Sequence, residues 1–216
     1  DEETFAEGLA IYDDASSALR NTPYGELGSL KDQQDIKAVI DIFTPLAEDG
    51  HAEAQYLLYK IYKDGNGVPQ DREASTKWLR LAAENGDAQA QYSVGMMYIR
   101  GFDDREELFN PLPVPKNNRT AVKWFIMSAE QGYDSSQFRL GEMFEEGEGV
   151  PRNKIYAHMW NNLSGFTFRR DDMERVMTAE EITIAERLAV ECVAKEYKGC
   201  MTSYCSERYG CIKNNG

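Results

Sequence analysis

Between residues 72 and 100 the apolar positions fall into two stripes. Ala74, Trp78, Leu81 and Ala82 form the first; Ala90, Val94, Met97 and Tyr98 form the second. Each stripe has the three-to-four-residue spacing of one buried helix face. Gly86 lies between them and suits the left-handed position that ends a helix. Asp71 can cap the first helix, because its carboxylate can accept from the free N–H groups of an opening turn. Asp87 starts the second helix and Gly101 stops it. Pro69 and Pro115 keep the flanking linkers out of helix. Small residues at 83, 90 and 95 allow the two backbones to approach closely. The pattern predicts a helical hairpin.

The hairpin recurs. Leu46–Tyr56, Ala82–Tyr92 and Ser128–Phe138 align on Gly50, Gly86 and Gly132, which step by 36 and then 46 residues. The linker Gly65-Asn66-Gly67-Val68-Pro69 returns as Gly147-Glu148-Gly149-Val150-Pro151. Between them, Gly101 opens the same linker and Val114-Pro115 closes it, which places the extra residues at 102–113. Trp78, Trp124 and Trp160 step by 46 and then 36, and so agree with that register. Ile42 takes the tryptophan position of the first unit. The recurring tryptophan reads as a packing residue.

One hairpin cannot bury both of its faces, whereas stacked hairpins share a continuous core. The expected fold class is therefore all-α, a right-handed α–α superhelix. A single domain is expected over 1–216. Residues 1–34 form an N-terminal capping helix and loop, with Phe5, Leu9, Tyr12 and Leu19 as apolar contacts. Residues 35–165 hold the repeats, with the insertion at 102–113. Residues 166–216 form a C-terminal cap, whose last helix opens on the capping box Thr178-Ala179-Glu180-Glu181 and runs toward Glu196.

Charge narrows the partners. The chain carries 24 Lys+Arg against 37 Asp+Glu, a net charge of −13. Phosphate backbones and anionic membrane surfaces need clustered cations, so neither nucleic acid nor membrane is an expected partner. No apolar run reaches the roughly 20 residues that span a bilayer. The four cysteines, Cys192, Cys200, Cys205 and Cys211, all lie near the C-terminus. An even, local set suggests disulfides and an oxidising compartment. A zinc site fits less well, with no C-x-x-C and no nearby histidine. Four cysteines allow three pairings. The nearest-neighbour choice, Cys192–Cys200 with Cys205–Cys211, carries a condition. Eight residues of straight helix span about 12 Å, beyond bridging distance, so the helix has to end near Glu196–Gly199.

The run Trp78-Leu79-Arg80-Leu81-Ala82-Ala83-Glu84-Asn85-Gly86-Asp87-Ala88-Gln89-Ala90-Gln91-Tyr92, with Gly65-Asn66-Gly67-Val68-Pro69-Gln70-Asp71, resembles the Sel-one-like repeat family, relatives of the tetratricopeptide repeats. The likeness covers roughly residues 35–165. Residues 192–200 are similar to the C-terminal helix of bacterial secreted members. The resemblance implies an adaptor, assembly factor or regulator in the bacterial periplasm or outside the cell. Some members resemble immunity proteins that neutralise phospholipase effectors of the type VI secretion system, so a secreted toxic effector is one implied partner. The inserted loop departs from regular members.

The search for chemistry finds no converging set of the kind an enzyme needs. His51 reads as a helix-start residue and His158 as a helix-face residue. H-E-x-x-H, G-x-S-x-G and the S-x-x-K of β-lactam-reactive proteins are absent. A hydrolase or β-lactam-binding enzyme is the rival reading. The glycine linkers lack the G-K-[ST] of a phosphate loop and the ligand pattern of an EF-hand, so no cofactor or metal is expected. What remains is a protein partner held by the first helix of each hairpin. The expected contacts are Lys77, Arg80, Leu81, Lys123, Ile126 and Met127, with Phe102, Leu108 and Phe109 of the inserted loop as a second set.

Overall fold

A computed structural model describes residues 2–21, 30–65, 67–101 and 114–201. Among these residues the regular structure is entirely helical: α1 (Glu2–Asn21), α2 (Leu30–Glu48), α3 (Ala52–Asp64), α4 (Arg72–Glu84), α5 (Ala88–Arg100), α6 (Asn118–Ala129), α7 (Asp134–Glu146), α8 (Lys154–Leu163), α9 (Thr167–Glu174) and α10 (Ala179–Ala194). The all-α hairpin class expected from the sequence is the one found. Two compact units divide it within α5, the first running through Ala90 and the second starting at Gln91. In the first unit α1 packs on α2, α2 on α3 and α3 on α4. In the second, α6 packs on α7 and α7 on α8, and α8 also contacts α9 and α10.

One local device makes the short turns. Gly50, Gly86 and Gly132 have φ of 94°, 102° and 81°, where a side chain on Cβ would be strained. In each turn the glycine N–H donates back to an alanine carbonyl (Ala47, Ala83, Ala129), and the next N–H donates one carbonyl further back (Leu46, Ala82, Ser128). This is the paired closure of the left-handed helix stop. The longer linkers also repeat. The backbone N–H groups of Asp71, Asn117 and Asn153 reach Tyr62, Tyr98 and Phe144 carbonyls at 2.9, 2.8 and 2.9 Å. Each of those three residues then caps the following helix with its own side chain, onto Ala74, Thr120 and both Ile155 and Tyr156. The middle linker therefore closes like the others even though it carries the insertion.

The core corrects one detail of the sequence reading. Trp78 and Trp160 are buried, but Trp124 and Ile42 are only half-buried. The deepest position is one residue later: Phe43, Leu79, Phe125 and Asn161 are all fully buried. A second recurring position is polar and buried. Gln55 donates from Nε2 to the Ala47 carbonyl at 2.7 Å, and Gln137 to the Ala129 carbonyl at 3.2 Å. Gln55 also accepts from Asn85 Nδ2 at 3.0 Å, as Gln91 accepts from Gln131 Nε2 at 2.8 Å. Gln55 thus ties the start of α3 to the ends of both α2 and α4, while Gln91 and Gln137 tie α5 and α7 to the end of α6. A buried carbonyl left without a donor would cost about 1–3 kcal/mol.

At the C-terminus the capping box is present: Thr178 N–H donates to Glu181 Oε2 at 2.8 Å and Glu181 N–H to Thr178 Oγ1 at 3.2 Å. The helix stops at Ala194, two residues earlier than expected. Glu196 and Tyr197 then take left-handed φ of 52° and 63°. This turn brings Cys200 back to Cys192, and the two form a disulfide with Cα atoms 5.0 Å apart. Cys205 and Cys211 lie outside the described residues.

Candidate functional site

The face of α4 carries the first set of expected contacts. Asp71 fixes the start of this helix, Oδ1 accepting from Ala74 N–H at 2.9 Å. Trp78, Leu79, Ala82 and Ala83 are its buried side, so helical geometry turns positions 72, 73, 76, 77 and 80 outward. Arg72, Glu73, Thr76, Lys77, Arg80 and Leu81 line a recess of about 650 Å³. They form two adjacent rows at four-residue spacing: Arg72, Thr76, Arg80 and Glu73, Lys77, Leu81. Lys77 and Arg80 are exposed, and Leu81 is half-buried. Lys77 Nζ lies 4.5 Å from the centre of the Trp78 ring, a favourable cation–π distance. Among the described residues, neither Lys77 nor Arg80 forms an ion pair. Arg72, Glu73 and Thr76 were not foreseen as part of this surface. Their signal was the i, i+4, i+8 row that each shares with an expected residue.

The corresponding residues of α6 belong to the second unit. Lys123 and Met127 are half-buried. Ile126 is not a surface contact: it is 7% exposed and belongs to the core with Phe125, Leu140 and Trp160. It aligns with Arg80, but α6 turns that position inward. Phe102, Leu108 and Phe109 lie outside the described residues.

Both histidines have structural partners. His51 caps α3, Nδ1 accepting from Ala54 N–H at 3.3 Å, and its ring stacks on Phe5 with centroids 4.4 Å apart. His158 is fully buried rather than on an open helix face, with Nε2 3.0 Å from Glu174 Oε1. Among the described residues, no cluster of three or more His, Cys, Asp or Glu is placed to hold a metal ion. Likewise, no described helix is long and apolar enough to cross a membrane.

Two carboxyls sit in unusual surroundings. Burial pushes Asp87 above the ordinary carboxylate range, against the pull of the Ala90 N–H, and the nearby charge of Glu53 adds to the rise. Burial also raises Glu130, although the N–H groups of Met201, Gly199 and Cys200 all point at it. The disulfide turn therefore wraps around the end of α6, with the Tyr197 ring close against Gly132 and Met201 buried in the core.

Comparison with known proteins places this architecture. Residues 52–87, 88–133 and 134–160 match the Sel1 repeat, and together they cover half of the chain. The three matches begin where α3, α5 and α7 begin. Each matched repeat is thus α3–α4, α5–α6 or α7–α8, one helix out of phase with the hairpin read from the sequence but in the same register. A Sel1 repeat protein of known structure from Oxalobacter formigenes is 27% identical, with a TM-score of 0.55 over 63% of this chain and 98% of that one. The protective antigen c5321 of uropathogenic Escherichia coli, which displays an SLR fold, is 23% identical, with a TM-score of 0.47 over 97% of this chain and 50% of that one. The DAP3-binding cell death enhancer 1 of Mus musculus is 32% identical over 81 residues, 38% of this chain. The matched region spans only 15% of that curated relative's length. The glycine turns, capped linkers and buried amides repeat in the register of those matches, and the chain belongs to the Sel1 repeat family.

Proposed function

We propose that this protein is a non-enzymatic interaction module that holds another polypeptide, and that it works in an oxidising setting, the bacterial periplasm or the exterior of the cell. Sel1 repeats typically serve as scaffolds for protein–protein contact. The observation that carries the reading is the α4 face: two exposed cations without ion-pair partners among the described residues, beside a recess and a half-buried leucine. Charged groups displayed in this way steer and select partners. The Cys192–Cys200 bridge supports the compartment, since structural disulfides persist where thiols are not kept reduced.

Affinity capture from the native host, read by quantitative mass spectrometry against an unrelated protein of equal charge, tests the first part. One protein enriched by this chain and not by the control is expected; no selective enrichment refutes the reading. Acid-trapping of cell extract followed by thiol alkylation tests the second part. Cys192 and Cys200 should be protected, and free thiols at both positions would contradict the compartment.

A further inference from the structure

We infer that the α4 face is a docking site for an acidic, extended segment of the partner. This inference rests on the interaction-module reading and names the chemistry of what is held. The first observation is how charge is distributed. The whole chain has 24 basic and 37 acidic residues, yet the sequences of α4 and α6 contain five basic residues (Arg72, Lys77, Arg80, Arg119, Lys123) and two acidic ones (Glu73, Glu84). By contrast α7 has four acids and one arginine. Basic residues thus outnumber acidic ones on α4 and α6, the reverse of the chain as a whole and of α2, which has two lysines and four acids.

The second observation is geometric. Lys77 and Arg80 stand three residues apart on α4 and are exposed. Side chains at that spacing lie about 5–6 Å apart at Cβ. In an extended chain, residues on the same face repeat every two positions, about 6.6 Å. A segment with carboxylates on alternate residues therefore matches the two cations, one to each. Contact with the Trp78 ring already restrains the Lys77 ammonium, so less freedom is lost when it pairs. The guanidinium of Arg80 offers a planar fork for a carboxylate. Leu81, half-buried at the same end of the recess, accepts an apolar residue following the acidic pair. Glu73 lines the other end beside Arg72 and offsets its charge, which favours the acidic pair toward Lys77 and Arg80. Single-stranded nucleic acid is the competing polyanion, but its affinity rests on cations neutralising successive phosphates, and this face offers only Arg72, Lys77 and Arg80, with the Glu73 carboxylate among them.

Fluorescence anisotropy with the full chain tests the inference. The probe is a labelled peptide alternating Glu and Ser and ending in Leu, compared with the same peptide carrying Gln for Glu, and with a labelled oligothymidine. The Glu peptide should bind about tenfold more tightly than the Gln peptide, and its affinity should fall as salt is added. K77E/R80E and the milder K77Q/R80Q should each weaken it about tenfold, while K195E/K198E, remote in sequence on the C-terminal turn, should leave it unchanged. Any one of four results overturns the inference: no binding of the Glu peptide, equal binding of the Gln peptide, unchanged binding by both α4 variants, or tighter binding of the oligonucleotide. Capture from the host separates the two readings. If K77E/R80E still captures the partner of the unaltered chain, the acidic-segment inference fails and the interaction-module reading stands. If the unaltered chain captures nothing selectively, the module reading itself fails.

Discussion

Cutting the Cys192–Cys200 bridge should loosen the second unit by a predictable amount. The bridge closes a nine-residue loop, since its cysteines are eight positions apart. In the chain-entropy treatment such a loop stabilises by about 2.5 kcal/mol. The loop also contains two non-glycine residues in left-handed backbone, Glu196 and Tyr197, each disfavoured by about 1–2 kcal/mol. Once freed, the turn is expected to relax out of that conformation. Relaxation withdraws the N–H groups that face Glu130 and takes Met201 out of the core. Fully exposing a methionine costs about 1.5–3 kcal/mol, which the relief at Glu196 and Tyr197, about 2–4 kcal/mol together, roughly offsets, so the net loss should stay near the loop contribution of about 2.5 kcal/mol. The assay is urea unfolding of oxidised and dithiothreitol-reduced protein, with Trp160 as the sole tryptophan in a W78F/W124F background. With a slope of about 2 kcal/mol/M, the midpoint should fall by at least about 1 M on reduction. C192S/C200S should match the reduced protein. Equal midpoints for oxidised and reduced protein would refute the reasoning.

Other positions give sharper tests of the packing. Gln55→Ala should destabilise the first unit by about 1–3 kcal/mol, because the Ala47 carbonyl and Asn85 amide lose their partner; thermal unfolding followed at Trp78 reads this, and no loss would show the amide to be dispensable. A Cβ on Gly95 would lie 2.6 Å from the Phe125 ring, so Gly95→Ala should cost about 1–3 kcal/mol despite the better helix propensity of alanine, and Phe125→Leu should recover part of the loss in a double-mutant cycle. Asp87 holds its proton more tightly in the fold than in the unfolded chain. The stability it contributes is therefore complete below the ordinary aspartate range and lost as pH rises through its folded value. Asp87→Asn keeps an oxygen to cap α5 and should flatten that slope in urea midpoints measured upward from about pH 4; an unchanged slope would exclude Asp87 as its source.

The repeat was legible because its signals are local. A glycine that must sit at positive φ, and an Asp or Asn that must cap, are fixed by two or three neighbouring backbone groups, so Gly50, Gly86, Gly132, Asp71 and Thr178 all lie where the sequence implied. Burial depth was less legible. Trp124 and Phe125 are both apolar neighbours on one stripe, and only the packing of the adjacent helix decides which goes deepest. Ile126 was placed on the surface for the same reason: alignment with Arg80 fixes its angle around the helix, not what covers it. Helix α9 is short and polar, so it shows no apolar stripe of its own. Gln55, Gln91 and Gln137 recur in the aligned segments, but a polar side chain reads as surface until packing shows it buried and bonded. Register puts Lys77, Arg80 and Leu81 on one side of α4; the recess they line depends on tertiary packing, which register does not carry.

The central claim is that α4 presents a polypeptide-binding face. Site-specific photocrosslinking tests it inside the native host, with a photoreactive residue placed either at Thr76, within the recess, or at Glu186, exposed on α10. A discrete crosslinked adduct to one other polypeptide from position 76, abolished by K77E/R80E and absent from position 186, is the predicted result. An adduct from position 186 alone, or none from position 76, would contradict the account.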